Sequence, residues 1–94
     1  MVIGCCTIEL HLPGSFSLKD KRSVLKSVIH RVRREFNVSV AEVDHQDVLR
    51  SALLGVVTVS NDAAYVHGQL THVVNWIERQ RFDLLLVDYQ IEIL

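Results

Sequence analysis

Ninety-four residues with 49% hydrophobic and 22% charged content make one globular domain, residues 1–94, and leave no room for two cores. Ten Lys and Arg against eleven Asp and Glu give a net charge of -1, which excludes a nonspecific grip on nucleic acid by the molecule as a whole; any such contact has to come from a local patch. One Pro and four Gly argue against disorder, and no apolar run approaches the length of a membrane span.

The first element is "CCTIELHL" (5–12), in which Cys6, Ile8, Leu10 and Leu12 alternate with Thr7, Glu9 and His11. This alternation predicts a half-buried strand, ended by Pro13-Gly14. Cys5 and Cys6 are neighbours, and side chains of neighbours in a strand point apart, so an ordinary disulfide between them is excluded. Two cysteines without a framework, and no signal-peptide pattern, predict a reducing cytoplasmic setting and packing roles for both thiols.

Ser17 reads as a helix N-cap, with Asp20 completing an approximate capping box. Leu25, Val28, Ile29, Val32 and Phe36 follow at helical spacing, and Asn37 is the expected left-handed stop. "VSVAEV" (38–43) predicts a strand and "DHQD" (44–47) a turn. "ALLGVVTVS" (52–60) is nearly all apolar, as in a central strand. Ser60 or Asn61 is the expected cap of a second helix, whose apolar positions are Val66, Leu70, Val73, Val74 and Ile77. "DLLLVDYQIEIL" (83–94) is the last strand. Strict alternation puts Leu85, Val87, Tyr89, Ile91 and Ile93 on its core face, and leaves Leu84 and Leu86 on the other face, to be covered by a second copy or half covered by neighbours.

The order βαββαβ has a common solution in the α+β class. It is the ferredoxin-like split βαβ, an antiparallel sheet of order 4-1-3-2 with two helices on one face.

Residues 17–34 hold seven of the ten Lys and Arg: Lys19, Lys21, Arg22, Lys26, Arg31, Arg33 and Arg34. With the apolar stripe centred on Leu25, helical geometry puts Arg22, Lys26 and Arg33 about 60–100° away, and Lys19 and His30 about 120–140° away on the same side. Arg31 and Arg34 fall further round, and Lys21 borders the stripe. Lys19, Arg22, Lys26, His30, Arg33 and Arg34 are therefore the candidate nucleic-acid-binding residues, able to neutralise phosphates without reading bases. The plainer alternative is a solvated helix face.

Glu42, Asp44 and Asp47 bear on this choice. In a split βαβ the second strand runs antiparallel to the first helix, so these acids come to the helix's first turn and leave its second half, Lys26 to Arg34, less compensated. The same three carboxylates are a weak candidate for Mg²⁺. His45 among them needs a separate partner, such as His11 or His72. Turn hydrogen bonds and ion pairs are the plainer reading. Of Phe16, Phe36, Tyr65, Trp76, Phe82 and Tyr89 only Tyr89 is clearly within a strand, which argues against bases stacking on the sheet.

Taken together, "SLKDKR", "NVSVAEVDHQD", "LG" at 54–55 and "VSND" at 59–62 carry a resemblance. Over essentially its whole length the chain resembles the YlxP-like family, domain of unknown function 503, small bacterial cytosolic proteins. The resemblance implies a ferredoxin-like fold and little chemistry. The family's genes sit among transcription and translation factors, which implies a ribosome- or RNA-associated role by company alone. The Cys5-Cys6 pair departs from the aliphatic residues expected there. The leading expectation is a nonenzymatic RNA- or ribosome-associated module, without cofactor or membrane contact. The alternatives are a homodimerising or protein-interaction domain using the open sheet face or an edge strand, and a metal-dependent enzyme at Glu42, Asp44 and Asp47.

Overall fold

A computed structural model of the chain describes residues 1–80 and 83–94. The elements are β1 (Val2–His11), α1 (Leu18–Glu35), β2 (Ser39–Asp44), β3 (Ser51–Ser60), α2 (Ala63–Arg79) and β4 (Leu85–Ile93). The strands form one antiparallel sheet in the order β2-β3-β1-β4, the expected 4-1-3-2 order counted from the other edge.

Alternation in β1 does what the pattern demands. Cys6, Ile8 and Leu10 are buried opposite Val56, Leu54 and Ala52 of β3. Over them pack Leu25, Val28 and Val32 of α1 and Val66, Leu70, Val73, Val74 and Ile77 of α2, in one core. Both helices therefore cover the same face of the sheet, and the other face is open.

The helix ends follow local hydrogen bonding. Ser17 Oγ accepts from the Asp20 N–H at 3.1 Å, and Asp20 Oδ2 accepts from the Phe16 N–H at 3.2 Å. The reciprocal bond thus reaches one residue further back than in the usual capping box. Asn37 is not a left-handed stop: α1 ends because Phe36 turns extended, at φ -133°, its N–H still bonded to Val32 O. Nor is α2 capped by Ser60 or Asn61. Strand β3 runs to Ser60, and Asp62 Oδ1 accepts from the N–H groups of Ala64 and Tyr65 at 2.9 and 3.4 Å. A carboxylate there also suits the positive end of the helix dipole.

Strand β4 corrects the strict alternation. Glu9 pairs with Asp88 but Leu10 with Leu86, which leaves Val87 as an extra residue, a β-bulge. Inward and outward positions exchange across it. Leu84 and Leu86 before the bulge and Ile91 after it pack against the core, while Leu85 and Val87 are 60% and 56% exposed. The patch assigned to Leu84 and Leu86 for a second copy is thus core, and Leu85 and Val87 take the outward places. Phe82 lies outside the described residues. No helix among the described residues is long and apolar enough to cross a membrane.

Gly4 sets how closely α2 approaches the sheet. A Cβ there would collide with Val66 Cγ1 and lie 3.0 Å from Leu70 Cδ1. Gly4→Ala is expected to destabilise the fold by about 1–3 kcal/mol through overpacking, read as a lower urea midpoint at unchanged slope.

Candidate nucleic-acid interface

The interface starts from a lysine that is not on it. Lys21 stands four residues before Leu25, in line with Val28 and Val32, and it is buried with them at 1% exposure. A buried charge needs partners. Its Nζ donates to His45 O at 2.5 Å and to Val48 O at 2.7 Å, and lies 2.9 Å from Glu42 Oε2. Glu42 Oε2 is buried and takes no well-directed hydrogen bond, so its contact with Lys21 is ionic. The first turn of α1 is thereby tied to the end of β2 and to the turn after it.

That turn is shaped to bring its carbonyls to Lys21. His45 is left-handed at φ 64°, and the Val48 N–H closes on His45 O at 3.0 Å. Asp44 Oδ1 accepts from the His45 N–H at 2.7 Å, a bond to the next residue rather than the two-residue reach of an Asx turn. His45 Nδ1 is 3.0 Å from Ser51 Oγ and His11 Nδ1 is 3.0 Å from Arg50 O, so the two histidines have separate partners and neither pairs with the other. Of the three acids, only Glu42 engages the helix. The described residues place no group of three or more His, Cys, Asp or Glu where they could hold a metal ion, so Glu42, Asp44 and Asp47 do not converge as a site.

Between α1 and β2 lies an open groove of about 800 Å³. Leu25, Ile29 and Ala41 supply apolar wall, and Arg22, Lys26, His30 and Arg33 supply the basic residues. Four of the six nominated residues thus meet around one groove. Glu42 is the acid that lines it, and Glu42 is already paired with Lys21. Lys19 and Arg34 are not among the lining residues. Lys19 is exposed in the first turn, and Arg34 lines a different cavity, with Arg31 and Trp76.

Arg33 has a second task that the sequence did not signal. Its Nη2 donates to Val40 O at 2.8 Å, pinning the edge strand β2 to the helix and using one guanidinium donor. A carbonyl occupied in this way is closed to an added strand, and β2 is also short and irregular between Glu42 and Asp44.

A family model described as "Protein of unknown function (DUF503)" matches residues 3–91. The chain belongs to this family. It is also 34% identical over 77 residues to the "Uncharacterized protein YlxP" of Bacillus subtilis (strain 168), a match that covers 82% of this chain and 84% of that protein. Neither description names an activity, so a DUF503 site has to be read from its own residues.

The rest of this DUF503 chain sets charge against charge. On the open sheet face Glu9 pairs with Asp88 and Cys5 with Glu92, so acids gather on the side away from the basic helix. Such a face repels phosphate. Burial, with Cys5 alongside as a second cause, pushes the Cys6 thiol up to about 11, so at neutral pH it is a packed, protonated group rather than a nucleophile.

Lys21→Met is expected to cost roughly 3–5 kcal/mol, because it strands Glu42 and two carbonyls beside an apolar side chain. Adding Glu42→Leu should recover a large part of that loss. Chemical denaturation of the two single variants and the double variant tests the coupling; simple additivity would contradict it.

Proposed function

We propose that this protein is a nonenzymatic RNA- or ribosome-associated module that holds phosphates in the groove between α1 and β2. One observation carries the reading: Arg22, Lys26, His30 and Arg33 surround a single groove whose acid, Glu42, is paired with Lys21. Arginine and lysine on a rigid helix position a phosphate backbone without selecting sequence. The apolar wall from Leu25, Ile29 and Ala41 suits a ribose or base edge beside those phosphates. The acidic open face supports the same orientation, with the helix side toward the nucleic acid. The proposal calls for no cofactor, and a cytoplasmic setting belongs to it, supported by the two unpaired thiols.

A second reading, self-association through the open sheet face, is favoured by its apolar end. Ile3 pairs with Val59 and Cys5 with Val57, and Val57 and Val59 are exposed beside Met1. Light scattering at high protein concentration decides it: a dimer dissociated by Val59→Glu supports this reading, and a monomer removes it.

The phosphate reading is tested by fluorescence anisotropy with a labelled single-stranded RNA across a salt series, alongside cosedimentation with ribosomes. Three phosphate contacts, from Arg22, Lys26 and Arg33, give a log–log slope of about -2, and Arg22→Ala with Lys26→Ala should flatten it by about 1.4. Equal affinity and slope in wild type and variant would contradict the proposal.

A further inference from the structure

The sheet has two edges, and they are not equivalent. Strand β2, at one edge, is short, irregular and held at Val40 O by Arg33. Strand β4, at the other, runs nine residues, and among the described residues only β1 pairs with it. It carries no Pro, Lys or Arg, residues that commonly blunt an edge. The ladder shows which of its backbone groups are open. The Leu94 N–H donates to Ile3 O at 2.7 Å. In an antiparallel pair such bonds recur at every second residue, so Glu92, Gln90 and Asp88 direct their N–H and C=O groups to β1. Tyr89, Ile91 and Ile93 direct theirs away from the sheet. The Tyr89 N–H accordingly finds a side-chain acceptor, Asp88 Oδ1, at 2.8 Å. The side chains of Tyr89, Ile91 and Ile93 lie on the helix side, since they pair with Ile8, Cys6 and Gly4. Ile91 packs half-buried against the core, but α2 leaves the rim uncovered, with Tyr89 44% and Ile93 39% exposed.

We propose that β4 is a dimerisation edge: it pairs antiparallel with β4 of a second copy of this chain, about a two-fold axis at Ile91, joining two sheets into one. The inference goes beyond the phosphate reading, stands without it, and uses a surface other than the open face. In this register Ile91 faces Ile91 of the second copy, Tyr89 faces Ile93, and Gln90 faces Glu92. The Ile91 N–H donates to Ile91 O across the axis, and the Ile93 N–H to Tyr89 O, so the ladder forms without displacing Asp88 from the Tyr89 N–H. Aromatic and β-branched side chains directly opposite one another are favourable pairs, and like charges directly opposite are unfavourable ones. Charge therefore fixes the register. Centring the pairing on Gln90 sets Asp88 against Glu92, and centring it on Glu92 sets that carboxylate against its own copy. Centring it on Tyr89 runs into the bulge at Val87. The register at Ile91 avoids all three, and this self-complementarity is what names a second copy as the occupant. With β2 closed, each copy offers one edge, so the contact is isologous and ends at a dimer. The groove between α1 and β2 lies at the far edge from β4, and stays open in both copies.

The test combines sedimentation equilibrium of the full chain over a concentration series with amide hydrogen exchange read by NMR. A dimer is expected, in which the Ile91 and Ile93 N–H groups are protected and lose protection on dilution, because the monomer offers them no acceptor. Ile93→Pro removes an N–H that faces away from β1, which spares the ladder within the chain, and should raise the dimer dissociation constant about tenfold. Tyr89→Lys sets a charge against Ile93 of the second copy and should weaken the dimer with the backbone donors intact. Val59→Glu, on the open face, should leave this dimer unchanged. Circular dichroism establishes that each variant is folded; should Ile93→Pro unfold, Tyr89→Lys and the exchange pattern of the wild type decide. A monomer at millimolar concentration overturns the inference. So does a dimer whose Ile91 and Ile93 amides exchange freely, and if Val59→Glu dissociates that dimer, self-association belongs to the open face instead.

Discussion

Everything on the helix side depends on a buried ammonium. Lys21 and Glu42 occupy places where a pair of apolar residues would hold the fold at lower cost, since desolvating an ion pair costs more than packing methyl groups. In return the pair fixes geometry. With acceptors at His45 O, Val48 O and Glu42 Oε2, the Lys21 Nζ has one place to sit. The first turn of α1 is thereby set against the end of β2, and the groove lies between the two elements beyond it. The same pair also neutralises the acid that would otherwise cancel the groove's charge.

The basic helix accordingly does three jobs, divided by angle around its axis. One stripe, Lys21 through Val32, closes the core. The flank toward β2 carries Arg22, Lys26, His30 and Arg33 along the groove. The flank toward α2 brings Arg31 and Arg34 beside Trp76. Acids on the open sheet face balance the total, so a net charge of -1 hides a molecule with a basic side and an acidic side. Long-range steering of an anionic partner follows that separation rather than the net value.

Much of this was legible in the sequence where a pattern is local. Alternation in β1 and the α2 stripe from Val66 to Ile77 identified buried residues one by one, because period and burial are the same fact there. The topology also placed Glu42 at the first turn of α1. Lys21 itself was harder to read: periodicity treats a charge as solvent-facing, and its carbonyl partners lie 24 and 27 residues on. The bulge at Val87 has no strong local mark, and one extra residue was enough to exchange the faces of Leu84, Leu85 and Leu86. Arg33 looked like its neighbours until the edge carbonyl of Val40 was in place. The setting of Trp76 arises from two helix ends that meet only in three dimensions.

The account's central claim is that the groove flank of α1, not the sheet, meets the ligand. Mapping backbone and side-chain NMR shifts of the isotopically labelled protein during titration with a short single-stranded RNA tests it most directly. The account predicts perturbations at Arg22, Lys26, His30 and Arg33, with the buried Lys21 and open-face residues such as Thr7 and Gln90 silent. Perturbations confined to the open face, or none at saturating RNA, would contradict it.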